Sequence, residues 1–178
     1  MSNDIPPGWD GILDPGERIL WQGRPDSVVT WTPANIAASV FGLFFSGFAV
    51  FWMAMASRAG GSFWMFGLIH FLAGFAVGLG PPVWSAWRRR HTWYTLTDRR
   101  AFIATDIPMK GRKLKSYPIG KETSLDYEAG EPATIHFAHE FRRTKKGSHR
   151  VPIGFERIRD GAKVFALFRQ VQRDRSAA

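Results

Sequence analysis

Residues 34–56 read ANIAASVFGLFFSGFAVFWMAMA, and residues 62–79 read SFWMFGLIHFLAGFAVGL. Between residues 27 and 87 the only charged side chain is that of Arg58. A helix of 23 residues with a rise of about 1.5 Å per residue spans the roughly 30 Å of a bilayer's hydrocarbon core. Surface helices of soluble proteins keep a charged outer face, which both stretches lack. The sequence therefore predicts two membrane-spanning helices, at about 34–56 and 62–84.

The connection between these spans is short, and this predicts an antiparallel transmembrane hairpin over residues 31–87. Only residues 57–61 join the two spans. Small side chains recur at every fourth residue in both spans, which places them on one face of each helix. In lipid, faces of small residues allow two helix backbones to approach closely. The residues predicted to make this helix packing are Gly42, Ser46, Gly74 and Gly78.

The second span leaves two questions open. It can end at Pro81–Pro82 or continue through them towards Trp87. His70 is the only titratable group in either span, and an ionisable group inside a span is by default a functional hypothesis. The simpler interpretation, which we favour, is a neutral imidazole that hydrogen-bonds across the hairpin to Ser46 or Asn35.

Charge divides the chain at about residue 88. Residues 1–87 contain 3 Lys+Arg and 5 Asp+Glu, whereas residues 88–178 contain 21 Lys+Arg and 10 Asp+Glu, a net charge of +11. Loops rich in Lys and Arg remain on the cytoplasmic side of a membrane. The arginines that directly follow the second span are therefore predicted to determine topology, with residues 1–30 and 88–178 both in the cytoplasm: Arg88, Arg89 and Arg90. This predicts a two-span protein of the cell inner membrane.

The cytoplasmic part has the pattern of a small β-domain. The stretches HTWYTLT and RAFIAT, separated by Asp98–Arg99, predict a β-hairpin. Apolar residues between Val164 and Val171 recur at helical spacing and predict a closing amphipathic helix at about 160–173. The other predicted strands cover residues 17–23, 113–119, 123–127, 133–139 and 149–153. The predicted fold class is α+β, with about seven strands and a transmembrane hairpin inserted after the first.

Two motifs flank the predicted spans. Residues 16–25 read GERILWQGRP, and residues 94–100 read YTLTDRR. In this order, and with Tyr117–Ile119 and residues 158–160 following, they resemble the small bacterial membrane proteins that carry a PH-like domain. The resemblance covers nearly the whole chain after residue 14. It implies a strongly bent seven-stranded β-barrel or sandwich closed by the C-terminal helix, and it implies little about activity because fold does not dictate function.

Motifs for catalysis or cofactor binding are not visible in the sequence. The chain has no cysteine, which excludes disulfides, cysteine nucleophiles and thiolate-ligated metals. It also lacks a phosphate-binding loop, a dinucleotide fingerprint and a nucleophile elbow. His136 and His139 are predicted to point to opposite faces of one strand, so they do not predict a metal site. We expect no enzymatic activity, no cofactor and no metal.

Basic clusters at residues 110–115 and 142–146 are the most informative chemistry of the cytoplasmic part. Such clusters often serve only to keep a surface solvated. A domain that follows a membrane span by a few residues nevertheless lies in the field of the anionic inner leaflet, where each nearby Lys or Arg contributes about 1 kcal/mol of attraction. The residues predicted to bind a lipid headgroup or a partner are Arg142, Arg143, Lys145, Lys146, Lys110, Arg112, Lys113 and Lys115.

These patterns favour a non-enzymatic membrane protein that presents a basic PH-like domain to anionic lipid or to a protein partner. The alternative is a subunit or regulator of a membrane protein assembly, in which the transmembrane hairpin makes the key contacts. A membrane protein or a second copy of this chain are the protein partners that we consider. Nucleic acid is not expected as a partner, because the aromatic residues are concentrated in the spans and not among the cytoplasmic bases.

Overall fold

The computed structural model of the protein describes residues 8–108, 110–144 and 147–177. The chain forms two compact units: Ser27–Arg88, which we call the helical hairpin, and the remainder on both sides of it, which we call the β-domain. The elements in chain order are β1 (Ile19–Gly23), α1 (Pro33–Arg58), a 3-10 turn (Phe63–Met65), α2 (Phe66–Arg90), β2 (Thr92–Thr97), β3 (Arg100–Ile107), β4 (Gly111–Pro118), β5 (Asp126–Glu128), β6 (Ala133–Thr144), β7 (Gly147–Ile158) and α3 (Gly161–Ala177).

The two long helices are apolar enough, and long enough, to cross a membrane by length and composition. α1 begins at Pro33, directly after Thr32, whose Oγ1 accepts a hydrogen bond from the Asn35 N–H at 3.2 Å. Proline is favoured at this first helical position because its missing N–H would have no partner there. Both helices extend a few residues beyond the predicted spans at their C-terminal ends.

The helices of the hairpin approach each other where both carry small residues. A Cβ atom placed on Gly42 would lie 2.7 Å from the Cα of Gly78, and one placed on Gly74 would lie 2.5 Å from Ser46 Oγ. These separations leave no room for a larger side chain. The Ser46 hydroxyl donates to the Phe71 carbonyl across the contact at 3.2 Å. The four residues selected from the sequence for helix packing therefore lie together at this contact.

α2 continues through both prolines to Arg90, which answers the question that the sequence left open. Because a proline nitrogen cannot donate, Pro82 leaves the carbonyl of Gly78 without its usual helical partner. The Ser39 hydroxyl of α1 donates to that carbonyl at 2.5 Å. A hydroxyl on a neighbouring helix is one of the ways in which membrane helices satisfy a backbone group that a proline has freed.

The strands form two antiparallel sheets, β1-β2-β3-β4 and β5-β6-β7. β1 precedes the helical hairpin but pairs with β2 after it, with Gln22 opposite Thr95. The predicted hairpin around Asp98–Arg99 is confirmed as β2 and β3. The α+β class and the seven strands are also confirmed, whereas the described residues do not form a closed barrel. β5 has only three residues and forms an edge of the second sheet, where it pairs with β6.

The core of the β-domain is aromatic and is closed by α3. The Phe155 ring lies 4.7 Å from that of Tyr94 and 5.4 Å from that of Phe168, measured between ring centres. Phe168 lies on α3 together with Val164 and Val171, and all three are buried. The predicted closing amphipathic helix is therefore confirmed, although it extends to Ala177 and not to residue 173.

β6 and β7 are longer than the sequence predicted. Each has 12 residues, and Arg142, Arg143 and Thr144, which were expected in a turn, pair with residues 149, 148 and 147 of β7. The prediction ended the first of these strands at residue 139, where the alternation of apolar residues ends, and limited the second to residues 149–153. A two-stranded ladder exposed on both faces has no buried side, so its strands can continue without that alternation.

The β4–β5 connection also differs from its prediction. The Thr123 hydroxyl, expected in a strand, accepts a hydrogen bond from the Gly120 N–H at 2.9 Å and so forms part of a turn. Gln172 of α3 donates to the Thr123 carbonyl at 2.7 Å and fastens that turn to the helix. β5 therefore begins only at Asp126.

Candidate functional site

A buried carboxylate fastens the N-terminal segment to the β2–β3 turn. Glu17 accepts hydrogen bonds from Thr97 Oγ1 at 2.6 Å, from Arg100 Nε at 3.2 Å and from the Asp14 N–H at 2.9 Å. Arg100 also lies 3.2 Å from the Asp14 carboxylate. Glu17 belongs to the motif at residues 16–25, and Arg100 belongs to the motif at residues 94–100. The sequence alone did not indicate that these two motifs contact each other. Their charges are mutually satisfied, so this cluster holds the fold together and offers little to a ligand.

The protonation of this cluster follows from its contacts. Burial by itself raises the pKa of Glu17, but the hydrogen bonds from Arg100 and Thr97 outweigh burial and hold that pKa below its ordinary value. The hydrogen bond to Glu17 raises the pKa of Arg100. Glu17 is therefore ionised at neutral pH.

A second ionic contact lies where the chain leaves and re-enters the β-domain. Arg157 Nη2 donates to Asp26 Oδ2 at 2.9 Å, and Arg89 Nε donates to the Asp26 carbonyl at 2.9 Å. Arg89 is only 5% exposed, so it differs from its two neighbours in the predicted topology-determining cluster. Arg88 and Arg90 are exposed.

Strand geometry divides the cluster predicted at residues 110–115. Lys110 lies in the β3–β4 turn, and the other three cations lie on β4. Because side chains alternate along a strand, Arg112 points to one face and Lys113 and Lys115 point to the other. The four cations therefore do not converge on one site.

Two of these β4 cations are paired with carboxylates. Arg112 Nε lies 3.2 Å from Asp106 Oδ2 of β3, and Lys115 Nζ lies 2.6 Å from Glu140 Oε1 of β6. All four side chains are partly or largely exposed, and such surface pairs contribute about 0–1 kcal/mol. Arg112 and Lys115 therefore remain accessible to solvent, but the positive charge of each is balanced by a neighbouring carboxylate.

Glu140 fastens the base of the β6–β7 hairpin to β4. Its carboxylate accepts hydrogen bonds from Lys115 Nζ and from Tyr117 Oη, the latter at 2.6 Å. The hydrogen bond from Lys115, followed by that from Tyr117, lowers the pKa of Glu140. Burial and the adjacent carboxylate raise the pKa of Tyr117.

Beyond Glu140 the hairpin ends in residues 141–150, which we call the hairpin tip. The tip reads FRRTKKGSHR, with five Lys+Arg and no acidic residue. Each of its described residues is exposed. Lys145 and Lys146, which were predicted as binding residues, lie outside the described residues.

The tip has two faces, and they separate Arg142 from Arg143. Residues directly opposite each other in an antiparallel pair share a face, so Arg142 lies with His149, and Arg143 lies with Ser148. Phe141 and its partner Arg150 are on the Arg143 face. The sequence prediction selected the two neighbouring arginines but missed Phe141 and Arg150. It ended one strand at residue 139 and began the next at residue 149, so it did not place residues 141 and 150 opposite each other.

A cavity of about 730 Å³ lies on the first sheet, on the face opposite the core. Its lining includes Trp9, Arg24, Trp93 and Ala104. The Arg24 guanidinium carbon lies 4.5 Å from the centre of the Trp93 ring. Of the predicted β4 cluster, Arg112 and Lys113 contribute to the lining of this cavity.

His70 does not form the predicted hydrogen bond across the helical hairpin. Its Nδ1 lies 3.1 Å from the Phe66 carbonyl of its own helix. Ser46 is turned towards the packed face of the hairpin and Asn35 lies in the first turn of α1, so neither hydroxyl nor amide is directed at the imidazole. His70 is exposed on the surface of the hairpin and lines a cavity of about 290 Å³ beside Phe45.

His136 and His139 have separate surroundings. His136 Nε2 lies 3.5 Å from the Glu128 carboxylate, and His139 Nδ1 lies 3.1 Å from Arg150 Nη2. The prediction that they point to opposite faces fails, because a β-bulge between His136 and Ala138 inserts an extra residue and breaks the simple alternation. Within the part of the chain that the structure describes, no group of three His, Asp or Glu side chains is placed to hold a metal ion.

Comparisons of the chain with protein-family models, with curated proteins and with solved structures find no match.

Proposed function

We propose that this is an integral inner-membrane protein whose basic, PH-like β-domain binds anionic lipid at the cytoplasmic face. The apolar surface of the helical hairpin supports the membrane part of the proposal. Leu43 is 77% exposed and Phe44 is 75% exposed, and most of the other large apolar side chains of α1 and α2 are also exposed. A core helix of a soluble protein would bury such side chains, whereas lipid is the solvent that favours their exposure.

The distribution of charge supports a cytoplasmic β-domain. The only charged side chain near the connection between α1 and α2 is Arg58, the last residue of α1, whereas Arg88 and Arg90 are exposed at the other end of α2. Basic residues near the end of a span favour retention of that end in the cytoplasm. The β-domain would then face the anionic leaflet.

The hairpin tip is the observation that carries the lipid-binding proposal. Next to the tip, the Glu140 carboxylate is engaged by Lys115, whereas the tip itself has five cations and no carboxylate. Each cation near an anionic membrane contributes about 1 kcal/mol, so several together give a binding free energy that no single residue supplies. A sum of small terms also predicts that no single alanine substitution abolishes binding.

The test is to measure the approach of the tip to the bilayer in the full-length protein. Because the chain has no cysteine, Ser148→Cys provides a unique site for a donor fluorophore on the tip. The labelled protein is reconstituted in nanodiscs with an acceptor on the lipid headgroups. We expect energy transfer to increase with the anionic lipid content. It should decrease as salt is raised from about 0.1 M to about 1 M, since the screening length falls from about 10 Å to about 3 Å.

The matched control removes the same number of charges from α3. A variant with Gln at the four predicted tip positions, 142, 143, 145 and 146, should lose most of the dependence on anionic lipid. A variant with Gln at four exposed cations of α3 should retain it: Lys163, Arg169, Arg173 and Arg175. Energy transfer that is independent of both anionic lipid and salt would refute lipid binding and favour a protein partner.

His70 favours a second candidate function, in which the helical hairpin docks a partner inside the membrane. One imidazole nitrogen lies near the Phe66 carbonyl, and the exposed ring lies beside the cavity lined by Phe45 and Trp52. An exposed polar group at membrane depth is costly unless another protein covers it. Co-purification in mild detergent tests this: a partner, or a second copy of the chain, should be lost on His70→Leu substitution but retained on Leu72→Ala substitution. Equal recovery with both variants would exclude a role for His70.

A further inference from the structure

Phe141 is unusual among the apolar side chains of the β-domain. It is 76% exposed, and the only other large apolar side chain recorded as exposed in the described β-domain is that of Leu114, at 43%. The remaining aromatic residues of the tip's own strands, Phe137 and Phe155, are buried in the core. The sequence therefore places a phenylalanine beyond the core, where packing does not require it.

The neighbours of Phe141 on its face of the tip are cationic. Arg150 is directly opposite it on β7, and Arg143 follows two residues along β6. Arg150 Nη2 lies 3.1 Å from His139 Nδ1, a contact that positions this guanidinium beside the phenylalanine. The face thus combines one apolar side chain with two arginines that have long, flexible stems.

We propose that Phe141 inserts into the boundary between headgroups and acyl chains of an anionic bilayer while Arg143 and Arg150 bind the phosphate layer. This inference rests on the proposed lipid-binding function and gives it a specific depth and a specific face. Aromatic side chains favour this boundary, and basic side chains beside them favour anionic headgroups.

A bilayer suits this face better than a protein does. The buried centre of a protein interface combines several apolar side chains in a packed patch, and one exposed phenylalanine does not supply such a patch. Among the described residues, Phe141 shares its face with Arg143, Arg150 and Ser148 towards the end of the tip and with His139 and Pro152 towards the stem, so Pro152 is its one apolar neighbour. A bilayer instead presents an anionic layer directly above an apolar one, which matches a phenylalanine flanked by arginines.

The experiment uses the full-length protein with a polarity-sensitive fluorophore at Ser148→Cys, which lies on the same face as Phe141. In nanodiscs that contain anionic lipid, we expect its emission to shift to shorter wavelength and to be quenched by lipids that carry a quencher near the headgroup. Phe141→Ser should reduce the inserted fraction relative to the non-inserted fraction by about tenfold, as expected for exposing a large apolar side chain. Phe141→Leu should restore it.

The control is Leu114→Ser, which removes the other exposed apolar side chain of the β-domain and should leave the emission unchanged. The energy-transfer measurement with acceptor lipids separates the two proposals. If energy transfer responds to anionic lipid but the emission shift is absent, or is unaffected by Phe141→Ser, insertion is wrong and electrostatic lipid binding stands. If energy transfer does not respond either, both proposals fail.

Discussion

The ionic contacts that flank β1 and the tip of the β6–β7 hairpin use arginine in opposite ways. On one side of β1, Arg100 is bound to the buried carboxylate of Glu17, and on the other side Arg157 is bound to Asp26. At the tip, Arg142 and Arg143 are exposed in a stretch of ten residues without a carboxylate. The comparison indicates that position within the fold, and not the number of basic residues, separates charges that stabilise the protein from charges that are available to a ligand.

Removing the ion pair of Glu17 with Arg100 should have the largest effect on stability. Glu17→Ala removes one partner of a buried ion pair and leaves Arg100 without its main acceptor. We expect this substitution to lower the free energy of unfolding by about 3 kcal/mol. Denaturant unfolding of the detergent-solubilised protein, followed by near-ultraviolet circular dichroism, measures the loss. Asp106→Ala removes a carboxylate from an exposed pair and should cost less than about 1 kcal/mol; equal losses would contradict the distinction.

Acid should weaken the same contact without any substitution. The pKa of Glu17 is lowered in the folded protein, so the unfolded chain binds its proton first as the pH falls. Its contribution to stability is therefore complete above the unfolded pKa of about 4.3 and is lost as the pH falls through the lowered folded value. We expect the free energy of unfolding to decrease below about pH 5. The decrease should be smaller in Glu17→Gln, and parallel curves would show that Glu17 is not the group responsible.

Glu140 lies between the two regions and should have an intermediate effect. Its contacts with Lys115 and Tyr117 are partly exposed, so Glu140→Gln should cost no more than about 1 kcal/mol. The same variant removes the carboxylate nearest to the tip and should increase energy transfer to anionic lipid. A large loss of stability would place Glu140 among the structural ionic contacts. Weaker energy transfer to anionic lipid would contradict its expected effect on the tip.

Changes at the tip should have the smallest effect on stability. Gln at positions 142, 143, 145 and 146 should change the free energy of unfolding by less than about 0.5 kcal/mol, as surface substitutions usually do. Thermal unfolding of this variant beside the wild-type protein measures the change. A substantial loss would mean that these cations are structural and would contradict their proposed role in lipid binding.

Some parts of the fold could be predicted because one local property determines them. The absence of charge in residues 34–56 and 62–79 is sufficient to predict two long apolar helices. The spacing from Val164 to Val171 is sufficient to predict the amphipathic closing helix. The β2–β3 hairpin follows from two β-rich stretches separated by two polar residues, Asp98 and Arg99.

Other parts depend on contacts between residues distant in the chain, and these could not be predicted. The contact of Lys115 with Glu140 joins β4 to β6, and nothing near either residue in the sequence indicates it. The orientation of His70 depends on the rotation of α2 about its axis, which the small residues of both helices fix together. Phe141 was missed for a related reason, because the pairing of β6 with β7 continues beyond the apolar alternation.

The β-domain is discontinuous, and this has a consequence for its synthesis. β1 is made before the helical hairpin, but its partner β2 follows 68 residues later, which at 5–20 residues per second corresponds to roughly 3–14 s of translation. During this interval β1 has no strand to pair with. If the hairpin crosses the membrane as proposed, β1 meets β2 only when both spans have inserted and the chain has returned to the same side. Completion of the first sheet would then select for chains with the correct topology, since a chain with one failed span would leave β1 and β2 on opposite sides of the membrane.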